Sequence, residues 1–157
     1  GALASAAMGD VDVSIEIAAP PEEVWAVALD PERLADWVTI HRSLGRHSDG
    51  PARAGYEMTQ TLTLRGAPFK VRWRLATCEA PHLAEWEGRG PAGSKAETSY
   101  RLEPIDGGTC FLYRNDFHVP FGVVGRVAQN AVAGDIPRNE AIKSLKRLKL
   151  LCENPGK

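Results

Sequence analysis

The side chains able to do chemistry are few and scattered. The four histidines, His41, His47, His82 and His118, form no HExxH or HxH and have no carboxylate at ligand spacing, so a metal site is not expected. His41 alone, close to Trp37 and the second strand, could reach a cavity mouth; the plain reading of it is a surface histidine. Cys78, Cys110 and Cys152 are widely spaced with no CxxC, which argues against a disulfide framework or zinc ribbon and suits a reducing, cytoplasmic setting. No GxSxG, glycine-rich phosphate loop or Cys–His pairing occurs, so neither a nucleophile nor a cofactor is expected. What remains is aromatic. Tyr56, Trp73, Trp86, Tyr100 and Tyr113, with Trp37, offer flat apolar walls that each end in a phenol or indole donor. Gln60, Thr98, Asn115 and Asn130 add polar groups on the same predicted faces, and Phe117 extends the wall. Such a surface is the usual lining of a small-molecule cleft; the plain alternative is an ordinary packed core.

Alternation and turn signals define the elements that must hold these side chains. Residues 11–18 place Val11, Val13, Ile15 and Ile17 on one face and Asp12, Ser14 and Glu16 on the other, a half-buried strand. Pro20-Pro21-Glu22-Glu23 then opens a short helix, and Asp30-Pro31 opens a second with Leu34, Trp37 and Val38 on its buried side. Strands are expected over 39–46, 56–65, 69–79, 83–89, 96–102 and 109–119. Tyr56, Met58, Gln60, Leu62 and Leu64 share one inward face; Phe69, Val71, Trp73, Leu75 and Thr77 share the next. Arg72 and Arg74 fall outward by the same alternation. Thr98, Tyr100 and Leu102, then Phe111, Tyr113, Asn115 and Phe117, continue the inward faces. After Pro120 the period becomes helical, with one stripe at Val123, Val127, Asn130 and Ala131 and another at Ile142, Leu145, Leu148 and Cys152. Gly134 and Pro137 predict a break between them.

A chain of 157 residues with 43% hydrophobic and 25% charged side chains suits one globular domain and excludes wholesale disorder. Nineteen basic against twenty acidic side chains give a net charge of -1, so no global field draws it to nucleic acid. No apolar run reaches the ~18 residues of a membrane span, so stable membrane insertion is not expected. Residues 1–9 lack a secretion-signal pattern and read as an expression remnant or frayed start, leaving 10–153 as a single domain.

This order of elements resembles the helix-grip fold of the START-like (SRPBCC) superfamily. The carriers are Ile15 to Trp25 with Asp30-Pro31-Glu32, Ala80-Pro81 before Leu83-Ala84-Glu85-Trp86, and Phe117, Pro120-Phe121-Gly122 and Ser144 to Lys149 near the end. The resemblance implies an α+β fold: a curved antiparallel seven-stranded sheet around a long C-terminal helix, two short helices between strands 1 and 2, and an apolar cavity between sheet and long helix. It also implies a lipophilic ligand (aromatic, polyketide or quinone-like) that is carried or sequestered by a monomer or homodimer. The expected ligand-binding residues are then Trp37, Tyr56, Gln60, Trp73, Trp86, Tyr100, Tyr113, Asn115, Phe117 and Asn130. The alternative is a polyketide aromatase/cyclase-dehydratase, which must deprotonate an acidic carbon, stabilise an enolate and assist loss of water. Members of that branch place a serine and an arginine inward after an aromatic position resembling Trp73, whereas Leu75 and Thr77 continue that face here. An inward Arg72, Arg74, His41, Glu57 or Asp36 would favour the enzyme. The stripe of Arg138, Lys143, Lys146, Arg147 and Lys149 reads either as a solvated helix face or as a surface for an anionic membrane.

Overall fold

The structure is a computed structural model that describes residues 6–120 and 134–156. Strand β1 (Ala6–Ile17) is followed by helix α1 (Pro21–Ala28), where Pro20 caps the start and Glu22 and Glu23 sit in the first turn. The Asp30 carboxylate accepts the Glu32 N–H at 3.0 Å and starts a 3-10 turn that runs directly into α2 (Leu34–Trp37). Six strands then follow as a meander: β2 (His41–His47), β3 (Glu57–Leu64), β4 (Ala67–Glu79), β5 (Leu83–Arg89), β6 (Lys95–Ile105) and β7 (Gly108–Pro120). Strand β1 pairs antiparallel with β7, giving the order β1-β7-β6-β5-β4-β3-β2 in one seven-stranded sheet. Helix α3 (Ile136–Glu153) closes the fold. Among the described residues, this is the expected helix-grip arrangement.

β1 begins at Ala6, ahead of the alternating stretch, and its added residues pair with β7 as far as Pro120. The break expected at Gly134–Pro137 falls ahead of α3. Gly134 takes φ +64, a conformation natural to glycine, and Pro137 sits in the first helical turn where its missing N–H costs nothing. The expected stripe of Val123, Val127, Asn130 and Ala131 lies outside the described residues.

Helix α3 buries Ser144, Leu145, Leu148 and Cys152 against β1, α1 and α2, while Arg138, Lys143, Lys146 and Arg147 face solvent. Polar contacts tie the helix to β1 and to the segment after α2. Thr39 N–H donates to Ser144 Oγ at 3.0 Å, Ala18 N–H donates to Glu153 Oε2 at 2.7 Å, and Lys149 Nζ reaches both Glu16 O and Glu153 Oε2. The Glu153 carboxyl is held below its ordinary range by the Ala18 N–H first and by Lys149 second.

One expectation fails inside β4. The β4–β5 register shifts between Leu75 and Thr77, so an extra residue enters there and the phase of the strand changes. Leu75 is inward and fully buried, but Thr77 pairs with outward Glu85 and joins the outer groove, whereas Cys78 turns toward the core. Arg72 and Arg74 remain outward as expected, and Arg74 meets Glu87 at 3.5 Å.

Candidate functional site

A cavity of about 190 Å³ lies between the concave face of the sheet, α2 and α3. Trp37, Gln60, Trp73 and Trp86 line it from α2, β3, β4 and β5; Tyr100, Tyr113, Asn115 and Phe117 line it from β6 and β7. Sheet alternation supplies seven of these and α2 the eighth, so eight of the ten side chains expected there come together. Tyr56 is not in the wall. It is buried against Trp86, with ring centroids 6.4 Å apart edge to face, and its hydroxyl lies 3.3 Å from His47 Nδ1. Asn130 lies outside the described residues.

The wall is built from ring contacts. Trp73 meets Trp86 edge-on at 6.5 Å, and Trp37 meets Tyr100 edge-on at 6.0 Å, separations at which the positive ring edge is attracted to the neighbouring face. Tyr100 and Tyr113 are direct cross-strand partners with centroids 6.1 Å apart. Gly88 makes the position of Trp73 feasible. It stands directly across from Trp73, and a Cβ there would come within 2.6 Å of the indole. Gly9 relates to Phe117 in the same way across β1 and β7. Neither glycine stands out in the sequence, because its meaning depends on register rather than on composition.

Two kinds of polar group face the cavity. On the β3–β4 side, Trp73 Nε1 donates to Gln60 Oε1 at 2.9 Å, and Gln60 Nε2 lies 2.9 Å from His41 Nδ1. Indole nitrogen can only donate, so the Gln60 oxygen must accept; its nitrogen then donates, and His41 Nδ1 must be the unprotonated acceptor. Burial lowers the His41 pKa from its ordinary value, in keeping with that neutral form. On the β6–β7 side, Thr98 Oγ1 donates to Asn115 Oδ1 at 2.9 Å, while the Tyr100 and Tyr113 hydroxyls bond to no described residue. Burial pushes the Tyr113 phenol up to about 12, and raises that of Tyr100 through burial first and the adjacent Tyr113 second. Both remain protonated donors across the ordinary pH range.

Of the groups that would favour catalysis, Glu57 and Asp36 are exposed, Asp36 beside Arg33 at 3.2 Å, and His41 touches the cavity only through Gln60. Glu140 and Lys95 are the charged members of the described lining, and Glu140 is engaged by Lys143 at 3.5 Å. Among the described residues, no group of three His, Cys, Asp or Glu side chains gathers to hold a metal.

A curled seven-stranded sheet gripping a terminal helix, with an aromatic-walled cavity between them, defines a class of small-molecule-binding folds. Within that class, the chain belongs to the family described as polyketide cyclase/dehydrase and lipid transport, whose model matches residues 8–153. The Zhui aromatase/cyclase from Streptomyces sp. R1128 is similar in fold, with a TM-score of 0.80 at 16% identity, covering 96% of this chain and 97% of the other. Two proteins of Mycobacterium tuberculosis are similar in sequence. Uncharacterized protein Rv1546 is 24% identical over 84% of this chain and 94% of its own, and Toxin Rv0910 is 25% identical over 82% and 91%. Family and cavity together support a role in binding a lipophilic or polyketide-related small molecule. No helix among the described residues is long and apolar enough to cross a membrane.

Proposed function

We propose that the protein encloses a planar lipophilic molecule (aromatic, polyketide or quinone-like) in this cavity, as a carrier or sequestering protein. The observation that carries the reading is that Trp37, Trp73, Trp86, Tyr100, Tyr113 and Phe117 surround open space of about 190 Å³ that their mutual ring contacts leave unfilled. A packed core would leave few voids larger than a water molecule. Titration with fluorene, a rigid tricyclic hydrocarbon, tests it. The expected result is saturable one-to-one binding with quenching of tryptophan emission; absence of saturation overturns the reading.

The family supports a second reading, an aromatase/cyclase-dehydratase acting on a poly-β-keto intermediate. Tyr100 and Tyr113 could serve such an enzyme as acids or enolate-stabilising donors. It would also need a base, and Glu140, the carboxylate of the described lining, is the residue to test. Turnover of a linear poly-β-ketone thioester that is lost in Glu140→Gln would favour the enzyme; binding without turnover favours the carrier.

A further inference from the structure

The hydrogen-bonding groups of the cavity wall are unevenly spent. Its side-chain amide oxygens are consumed internally, Gln60 Oε1 by Trp73 and Asn115 Oδ1 by Thr98. The Ser144 hydroxyl is likewise spent, on Glu140 O at 2.9 Å and on Thr39. The donors are left over. The hydroxyls of Tyr100 and Tyr113 and the amide nitrogen of Asn115 have no partner among the described residues. The Trp37 indole N–H is fully buried with no acceptor either. Unlike the Trp37 N–H, the two tyrosine hydroxyls and the Asn115 amide nitrogen keep access to the cavity space, so a ligand oxygen can reach them in exchange for water.

Geometry concentrates these donors. Tyr100 and Tyr113 face each other across β6 and β7, with rings inclined by only 31°, so both project from the sheet side by side. Trp37 stands edge-on to Tyr100, and Asn115 follows Tyr113 on the same face of β7. A carbonyl oxygen has two lone pairs and can accept from two such donors at once.

Building on the lipophilic-ligand reading above, we propose that the ligand is a neutral aromatic carrying a carbonyl, of ketone or quinone type. Its oxygen accepts hydrogen bonds from Tyr100 and Tyr113 together. The aromatic wall supplies affinity for the ring system, and the tyrosine pair selects for the oxygen and fixes which end of the ligand enters toward β6 and β7. This pairing makes Tyr100 and Tyr113 specificity determinants.

A matched pair of probes separates this proposal from the reading beneath it. Fluorene and 9-fluorenone share one ring skeleton and differ by a carbonyl. In the wild-type chain, 9-fluorenone is expected to bind on the order of tenfold more tightly, the net worth of two hydrogen bonds after the ketone gives up water. Tyr100→Phe and Tyr113→Phe, which keep their rings, should each shrink that ratio, and the double variant should bring it near one, whatever each does to the affinity for fluorene itself. Cooperative urea unfolding of each variant shows that it folds. The carbonyl stretch of bound 9-fluorenone should sit at lower wavenumber in the wild type than in the double variant. Equal affinity for the two probes in the wild type, or a ratio that survives the double substitution, overturns the tyrosine-pair proposal while leaving the cavity reading in place. Failure of both probes to saturate overturns both.

Discussion

The two flanks of the cavity are built from similar residues and end in opposite states. On the β3–β4 flank, Trp73, Gln60 and His41 form a closed relay whose cavity-facing indole donor and amide oxygen answer each other within the protein. On the β6–β7 flank, Tyr100 and Tyr113 lie just as deep in the wall but end in hydroxyls that no described residue engages. The difference shows that burying a polar aromatic does not by itself reveal its role. A donor answered inside the protein serves the fold, and a donor left facing the cavity is available to a ligand.

The largest expected effect is on the closed flank. Trp73→Ala removes a large ring from the wall and leaves Gln60 Oε1 without its donor, so denaturant unfolding should show a loss of about 3–5 kcal/mol. A loss below ~1 kcal/mol would show that this flank is not structural. Gly88→Ala should cost less, about 1–3 kcal/mol, because the added Cβ would meet the Trp73 indole at 2.6 Å. Combined with Trp73→Ala, the same substitution should cost much less than the sum of the two, since the ring it strikes is gone.

The relay should also respond to pH, more weakly. The pKa of folded His41 is lowered from 6.5, so the unfolded chain binds the His41 proton more readily. This contribution to stability is present above the unfolded value and is lost as pH falls through the window between 6.5 and the lower folded value. Protonation at Nδ1 would set two donors against each other at Gln60. Melting temperatures followed from about pH 7 to about pH 5 should fall more steeply in the wild type than in His41→Phe; parallel curves would remove His41 from the account. The smallest effect on folding belongs to the open flank. Tyr113→Phe deletes a hydroxyl with no partner among the described residues, so stability should change by less than about 0.5 kcal/mol or rise slightly. A large loss in urea unfolding would mean that this hydroxyl already serves the fold.

Much of the fold was legible because most strands keep one phase. Alternation alone placed Trp73, Trp86, Tyr100, Tyr113, Asn115 and Phe117 on the concave face, and the Pro-Pro-Glu-Glu and Asp-Pro starts located both short helices. Thr77 was misplaced because a bulge inserts a residue without changing the local pattern of types. The first residues of β1 were missed because Ala6 and Ala7 give no contrast between faces. Tyr56 takes the expected face but does not reach the cavity: phase tells which face a side chain takes, not how far along the strand the open space extends. The Trp73–Gln60–His41 relay needs the lateral alignment of β2, β3 and β4, which no single strand records. Gly88 became meaningful only through the same alignment.

The central claim is that the aromatic wall surrounds space for a ligand and is not a loosely packed core. Nuclear Overhauser contacts between bound fluorene and the protein test it directly. The expected result is contacts to the ring protons of Trp73, Tyr100 and Tyr113, with β3–β4 and β6–β7 residues reporting on the same ligand molecule. Contacts confined to exposed apolar surface such as Leu150, which is 61% accessible, with none to those three rings, would contradict it.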